Sequence, residues 1–113
     1  MSKLVEAFPT LVSELAQSLR NAGRDALAEQ IETATITRVT FDGDHNAGYI
    51  YLDPSRALNV VERNIIGVRH GETIPVETTF WTVVDTDNFD RVAGIEILDT
   101  RKLEAELIRC AIG

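Results

Sequence analysis

The chain has a single cysteine, Cys110, which excludes an intramolecular disulfide. A lone thiol fits a reducing compartment, where it serves as a small hydrophobe rather than a cross-link between chains. Cations are also scarce. Eleven Lys and Arg stand against eighteen Asp and Glu, for a net charge of -7. They are scattered singly or in pairs such as Arg101-Lys102, so no basic patch is visible, and nucleic acid is disfavoured as a direct partner. No apolar run approaches membrane-spanning length, and Met1-Ser2-Lys3-Leu4-Val5-Glu6 lacks the basic start and apolar run of a signal peptide. The expectation is a soluble, cytoplasmic protein with no membrane partner. The seven glycines are isolated, which leaves no phosphate-cradling loop and no Gly-x-Ser-x-Gly elbow. With no Cys pair and no His-x-x-x-His spacing, neither a metal nor another cofactor is expected.

What remains is an ordinary apolar fraction of 44% in 113 residues, enough for one domain with its own core. Leu4, Phe8, Leu11, Val12, Leu15 and Leu19 recur at helical spacing, and Pro9 suits a first helical turn. Asn21-Ala22-Gly23 stops that helix, and a second runs from Arg24 to Thr33 with Ala26, Leu27, Gln30 and Ile31 inward. The period then changes. Thr35 to Phe41 and Ala47 to Leu52 read as strands around the turn Asp42-Gly43-Asp44-His45-Asn46, with Tyr49 and Tyr51 on one face. Leu58 to Arg69 reads as a third strand, His70-Gly71-Glu72 as a turn, and Thr73 to Asp85 as a fourth strand, with Pro75 at an edge or bulge. Val92 to Leu98 is the fifth. A helix from Thr100 to Ile112 follows, with Leu103, Leu107 and Ile108 inward. The fold class is α+β: a helical hairpin over 1–33, an antiparallel sheet of about five strands over 34–99, and a C-terminal helix over 100–113.

Tyr49-Ile50-x-Leu52, Val84-Asp85-x-Asp87 and Gly94-Ile95-Glu96-Ile97-Leu98 together carry a likeness. They resemble the pattern of a small bacterial domain-of-unknown-function family, number 2283, over residues 46–100. The segment from Leu58 to Thr79 is longer than that pattern. The resemblance implies a compact β-rich domain and, because some such small domains sit beside toxin-like partners, an antitoxin-like or accessory role.

The residues themselves point to binding rather than catalysis. Asp85, Asp87 and Glu96 fall at the first, third and twelfth positions of a calcium loop, but Phe89 and Asp90 stand where an oxygen ligand and a glycine belong. The acidic hairpin therefore reads as a solvated turn. Glu96, between Ile95 and Ile97, points away from their face and is a candidate for a cross-strand pair with Arg91, Arg69 or Arg38. Phe80 and Trp81 alternate, so one ring faces the core and its neighbour does not. If all helices lie on one face, an aromatic surface of Tyr51 with Phe80 or Trp81 is left open as an interface. If the C-terminal helix covers the second face, it is not. Two readings of function follow. One is a non-enzymatic protein-binding domain, antitoxin-like or immunity-like, whose acidity favours a basic partner. The other is a ligand-binding or enzymatic domain with Glu96, Arg38, Tyr49 and His70 around a pocket between sheet and hairpin. A structural homodimer, paired at the Pro75 edge or through Leu4, Phe8 and Leu11, is a third arrangement.

Overall fold

The computed structural model describes residues 2–52 and 67–112, the last of these by its backbone alone. Helices α1 (Leu4–Ala7), α2 (Pro9–Asn21) and α3 (Asp25–Thr33) come first, then strands β1 (Ile36–Asp42), β2 (Ala47–Leu52), β3 (His70–Val76), β4 (Thr82–Asp87) and β5 (Val92–Ile97), then helix α4 (Glu104–Ile112). The strands form one antiparallel sheet in the order β1-β2-β5-β4-β3. The α+β class is therefore shown.

The apolar stripe of the hairpin does what its spacing predicts. Leu4, Phe8, Leu11, Val12, Leu15 and Leu19 are buried against Leu27, Ala28 and Ile31 of α3, and Gly23 closes α2 at φ 77°. Ala28, not Ala26, is the inward alanine, because position 28 shares a face with Ile31 and Leu27. The hairpin rests on one sheet face, whose alternate positions Ile36, Val39, Ile50, Leu52, Val76, Val84, Ile95 and Ile97 belong to the same core. Helix α4 packs on that face too: a Cβ added at Gly48 would meet Leu107 at 3.3 Å. Leu103 and Leu107 are buried, but Ile108 is exposed, one position round the helix from the stripe. All the described helices thus share one layer. Because Leu4, Phe8 and Leu11 are wholly within the core, dimer packing through those three side chains is overturned.

Two strand expectations are corrected. The fourth strand from Thr73 to Asp85 is a hairpin, β3 and β4, turned by Glu77-Thr78-Thr79-Phe80-Trp81. His70-Gly71-Glu72 is no turn but the start of β3. Gly71 is required there by proximity, since a Cβ would lie 2.1 Å from the carbonyl oxygen of Asp87 on β4. The expected strand from Leu58 falls outside the described residues up to 66, and residues 67–69 carry no strand. β3 and β1 are the sheet edges, and Pro75 sits on β3 as an edge proline should.

Long-range side-chain bonds fasten the turns to the hairpin. Glu14 of α2 accepts from the backbone N–H and hydroxyl of Thr79, at 2.8 and 2.7 Å, and the Ser18 hydroxyl donates to the Glu77 carbonyl. From α3, Gln30 donates to the Asp90 carbonyl and accepts from the Val92 N–H, which satisfies backbone groups at the β4–β5 turn. The two clamps hold opposite ends of β4, and the one from α2 holds the end on which the exposed aromatic described below is carried.

Candidate functional site: the second sheet face

Among the described residues, no element covers the other face of the sheet. The period of two places Arg38, Thr40, Tyr49, Tyr51, Glu96, Gly94, Val83, Asp85, Thr73 and Pro75 there. The face has a polar half and an apolar half.

The polar half is a run of contacts across the strands. The Arg38 guanidinium lies 4.8 Å from the Tyr51 ring centre, and the Tyr51 and Tyr49 rings are 4.5 Å apart at 49°. Tyr49 then lies across β5 and donates to Asp85 on β4 at 2.7 Å. It can do so only because its cross-strand diagonal neighbour is Gly94, where a Cβ would sit 2.4 Å from the Tyr49 ring. The Thr73 hydroxyl donates to the second Asp85 oxygen at 3.1 Å and also contacts His70 Nε2 at 3.1 Å. Burial, and then the hydrogen bond to Asp85 and the nearby charges of Asp85 and Glu96, raise the Tyr49 pKa well above its ordinary value. The phenol is thus held as a proton donor, not as a base or nucleophile.

A titration follows from this. With Tyr51 changed to Phe, Tyr49 is the only phenol in the chain. Its ionisation, read by phenolate absorbance in the folded protein, is expected above the ordinary value of about 10. Since the folded value exceeds the unfolded one, the contribution of the bond to stability is fully present below pH of about 10. It is lost as pH rises through the folded value. A midpoint at the ordinary value would contradict the contact with Asp85.

Of the four residues expected around a pocket, Tyr49 and His70 line one cleft of about 360 Å³ together with Tyr51, Arg69 and Asp85. Arg38 stands beyond Tyr51, outside it, and Glu96 faces Tyr49 and Val83 across the strands. The cleft shared by Tyr49 and His70 is lined by no residue of the helical hairpin, whereas Arg38 lines a separate cleft with Glu6 and Ala7 of α1, so the four do not converge on one pocket between hairpin and sheet. Glu96 points outward as its flanking isoleucines require, but among the described residues it forms no ion pair with Arg91, Arg69 or Arg38. Thr73 joins the run without having been singled out in the sequence, and Asp85, read there as part of a solvated acidic turn, joins it as the acceptor for Tyr49 and Thr73. Their alternation with buried Val84 and half-buried Ile74 is the signal that places them on the face.

The acidic turn is not simply solvated. Asp87 is 3% exposed, and one of its oxygens accepts from the backbone N–H groups of Phe89 and Arg91, at 2.8 and 3.0 Å. The other accepts from Arg91 Nε at 2.8 Å. Among the described residues no group of three His, Cys, Asp or Glu converges in a way that would hold a metal ion. His45 instead pairs with Asp42 at 2.7 Å, and this contact lowers the Asp42 pKa.

The apolar half centres on Trp81. Phe80 is 4% exposed and belongs to the core, so it is not an interface residue, whereas Trp81 is 69% exposed. Trp81 also sits at φ 51°, a left-handed conformation unfavourable by about 1–2 kcal/mol for a side chain with a Cβ. It is held there because its carbonyl accepts from Leu98 N–H at 2.8 Å while the Phe80 carbonyl accepts from Asp99 N–H at 3.1 Å. Leu98 is 46% exposed beside it, with Val83 and Pro75 completing one wall of a groove of about 720 Å³.

No family model matches this chain, and neither the curated proteins nor the solved structures contain a match. Among the described residues no helix is long and apolar enough to cross a membrane.

Proposed function

We propose that the chain is a non-enzymatic protein-binding domain that uses the second sheet face, with Trp81 as its anchor. The observation that carries this reading is Trp81 itself. A large aromatic is presented to solvent from a backbone conformation that disfavours it, next to exposed Leu98. Folding alone gains little from that arrangement, while buried tryptophans are frequent energetic centres of interfaces. The likeness of residues 46–100 to the bacterial family, together with the net charge of -7, supports an antitoxin-like or immunity-like version working in the cytoplasm. The ligand-pocket alternative rests on the cleft between Tyr49 and His70, which offers hydrogen bonds and ring faces.

The test compares capture from native extract by the tagged wild type and by Trp81→Gly. Glycine tolerates the positive φ, so strain is relieved while the side chain is lost. The wild type is expected to retain a stoichiometric partner and Trp81→Gly to lose it, with the unfolding midpoint unchanged or slightly higher. Identical capture by both proteins would refute the role of this face.

A further inference from the structure

We infer that the groove beside Trp81 takes a basic segment of another protein, one presenting an arginine or lysine next to an apolar side chain. This rests on the protein-binding reading and names the chemistry of the partner. The groove is lined by Glu14, Glu77 and Trp81 against Pro75, Val83 and Leu98, and among the described residues no Lys, Arg or His lines it. The Glu77 carboxylate is exposed and makes no hydrogen bond or ion pair among the described residues, its backbone carbonyl being the group that Ser18 uses. One Glu14 oxygen is taken by Thr79, and the other has no hydrogen-bond partner among the described residues. Glu96 adds a further carboxylate, opposite Val83 across the sheet at the edge of the groove and with no ion pair among the described residues.

The chemistry of such a site is specific. An arginine or lysine can lie over the Trp81 ring face while its charge meets Glu77 or Glu96. The neighbouring apolar side chain covers Val83 and Leu98, which otherwise stay in water. The same carboxylates argue against a second copy of this chain as occupant. Two such grooves brought together would set Glu77 and Glu96 against their own duplicates, in a protein already at -7. An acidic or phosphorylated segment is disfavoured for the same reason.

The experiment measures fluorescence anisotropy of three labelled peptides on the full chain: one alternating arginine and leucine, one with glutamate for arginine, and one with serine. The arginine peptide is expected to bind, to weaken as salt is raised, and to weaken roughly tenfold on the double change Glu77→Gln and Glu96→Gln. Trp81→Gly should abolish its binding. Equal binding of the serine or glutamate peptide, or an unchanged affinity in the glutamine variant, overturns the inference and leaves the protein-binding reading intact. So does failure of the arginine peptide to bind while Trp81→Gly still loses its captured partner. If the peptide fails and Trp81→Gly captures what the wild type captures, both fall together. Concentration-dependent self-association that Trp81→Gly removes would overturn the inference in favour of a homodimer.

Discussion

Replacing Phe80 by Ala is expected to cost about 3–5 kcal/mol of stability, while the same change at Trp81 costs almost nothing. The two aromatics are adjacent in sequence and similar in size, so composition and propensity hardly distinguish them. Burial does. The Phe80 ring is 4% exposed in the common core, and its removal leaves a cavity that α2, clamped by Glu14 and Ser18, is poorly placed to fill. Trp81 has little packing to lose and sits in a left-handed conformation. The loss at Phe80 is a large part of the roughly 5–15 kcal/mol that holds a domain folded. Urea denaturation of both variants is the check. A Trp81→Ala protein destabilised as much as Phe80→Ala would mean that the indole is core.

The second large effect is expected at Asp87. Changing it to Ala removes the acceptor for two backbone N–H groups and for the Arg91 guanidinium, at a buried position. Buried donors left without a partner cost about 1–3 kcal/mol each, but Arg91 is partly exposed and can turn to water, so about 2–4 kcal/mol in total is expected. Asp87→Asn keeps an acceptor for the backbone and sets an amide against the guanidinium, so roughly half of that cost should return. Denaturation midpoints in this order, wild type then Asn then Ala, support a structural carboxylate. Wild-type stability in the Ala variant would restore the solvated turn.

These two sites also show where sequence was readable and where it was not. The hairpin, β1, β2 and β5 follow from period and stop residues, because one-sided burial imposes its period on each element. The outward Glu96 and the shared face of Tyr49 and Tyr51 follow from strand alternation. The β3–β4 turn was hidden because Glu77-Thr78-Thr79-Phe80-Trp81 contains no Gly, Pro, Asn or Asp. Its chain reversal is made instead by the Thr78 hydroxyl, which accepts from Phe80 N–H at 3.1 Å, and by a tryptophan in a conformation normally left to glycine. Gly71 misled in the opposite direction, since it serves close strand approach rather than a turn. At Asp87, charge pattern alone could not reveal that one carboxylate turns inward to bond its own loop. The candidate face was legible as a set of alternating residues. Its division into a hydrogen-bonded half and an apolar half depends on strand order, and β5, a hairpin partner of β4, reaches its place beside β2 only through long-range pairing.

The central claim is that Trp81 is presented to solvent so that a partner can cover it, and the indole reports on this directly because it is the only one in the chain. The measurement is acrylamide quenching of its fluorescence, first in the free protein and then with the captured partner added. Emission close to that of free tryptophan and strong quenching, both lost when the partner binds, are the predicted results. An indole already shielded in the free monomer, or one equally quenched after the partner binds, would contradict the account.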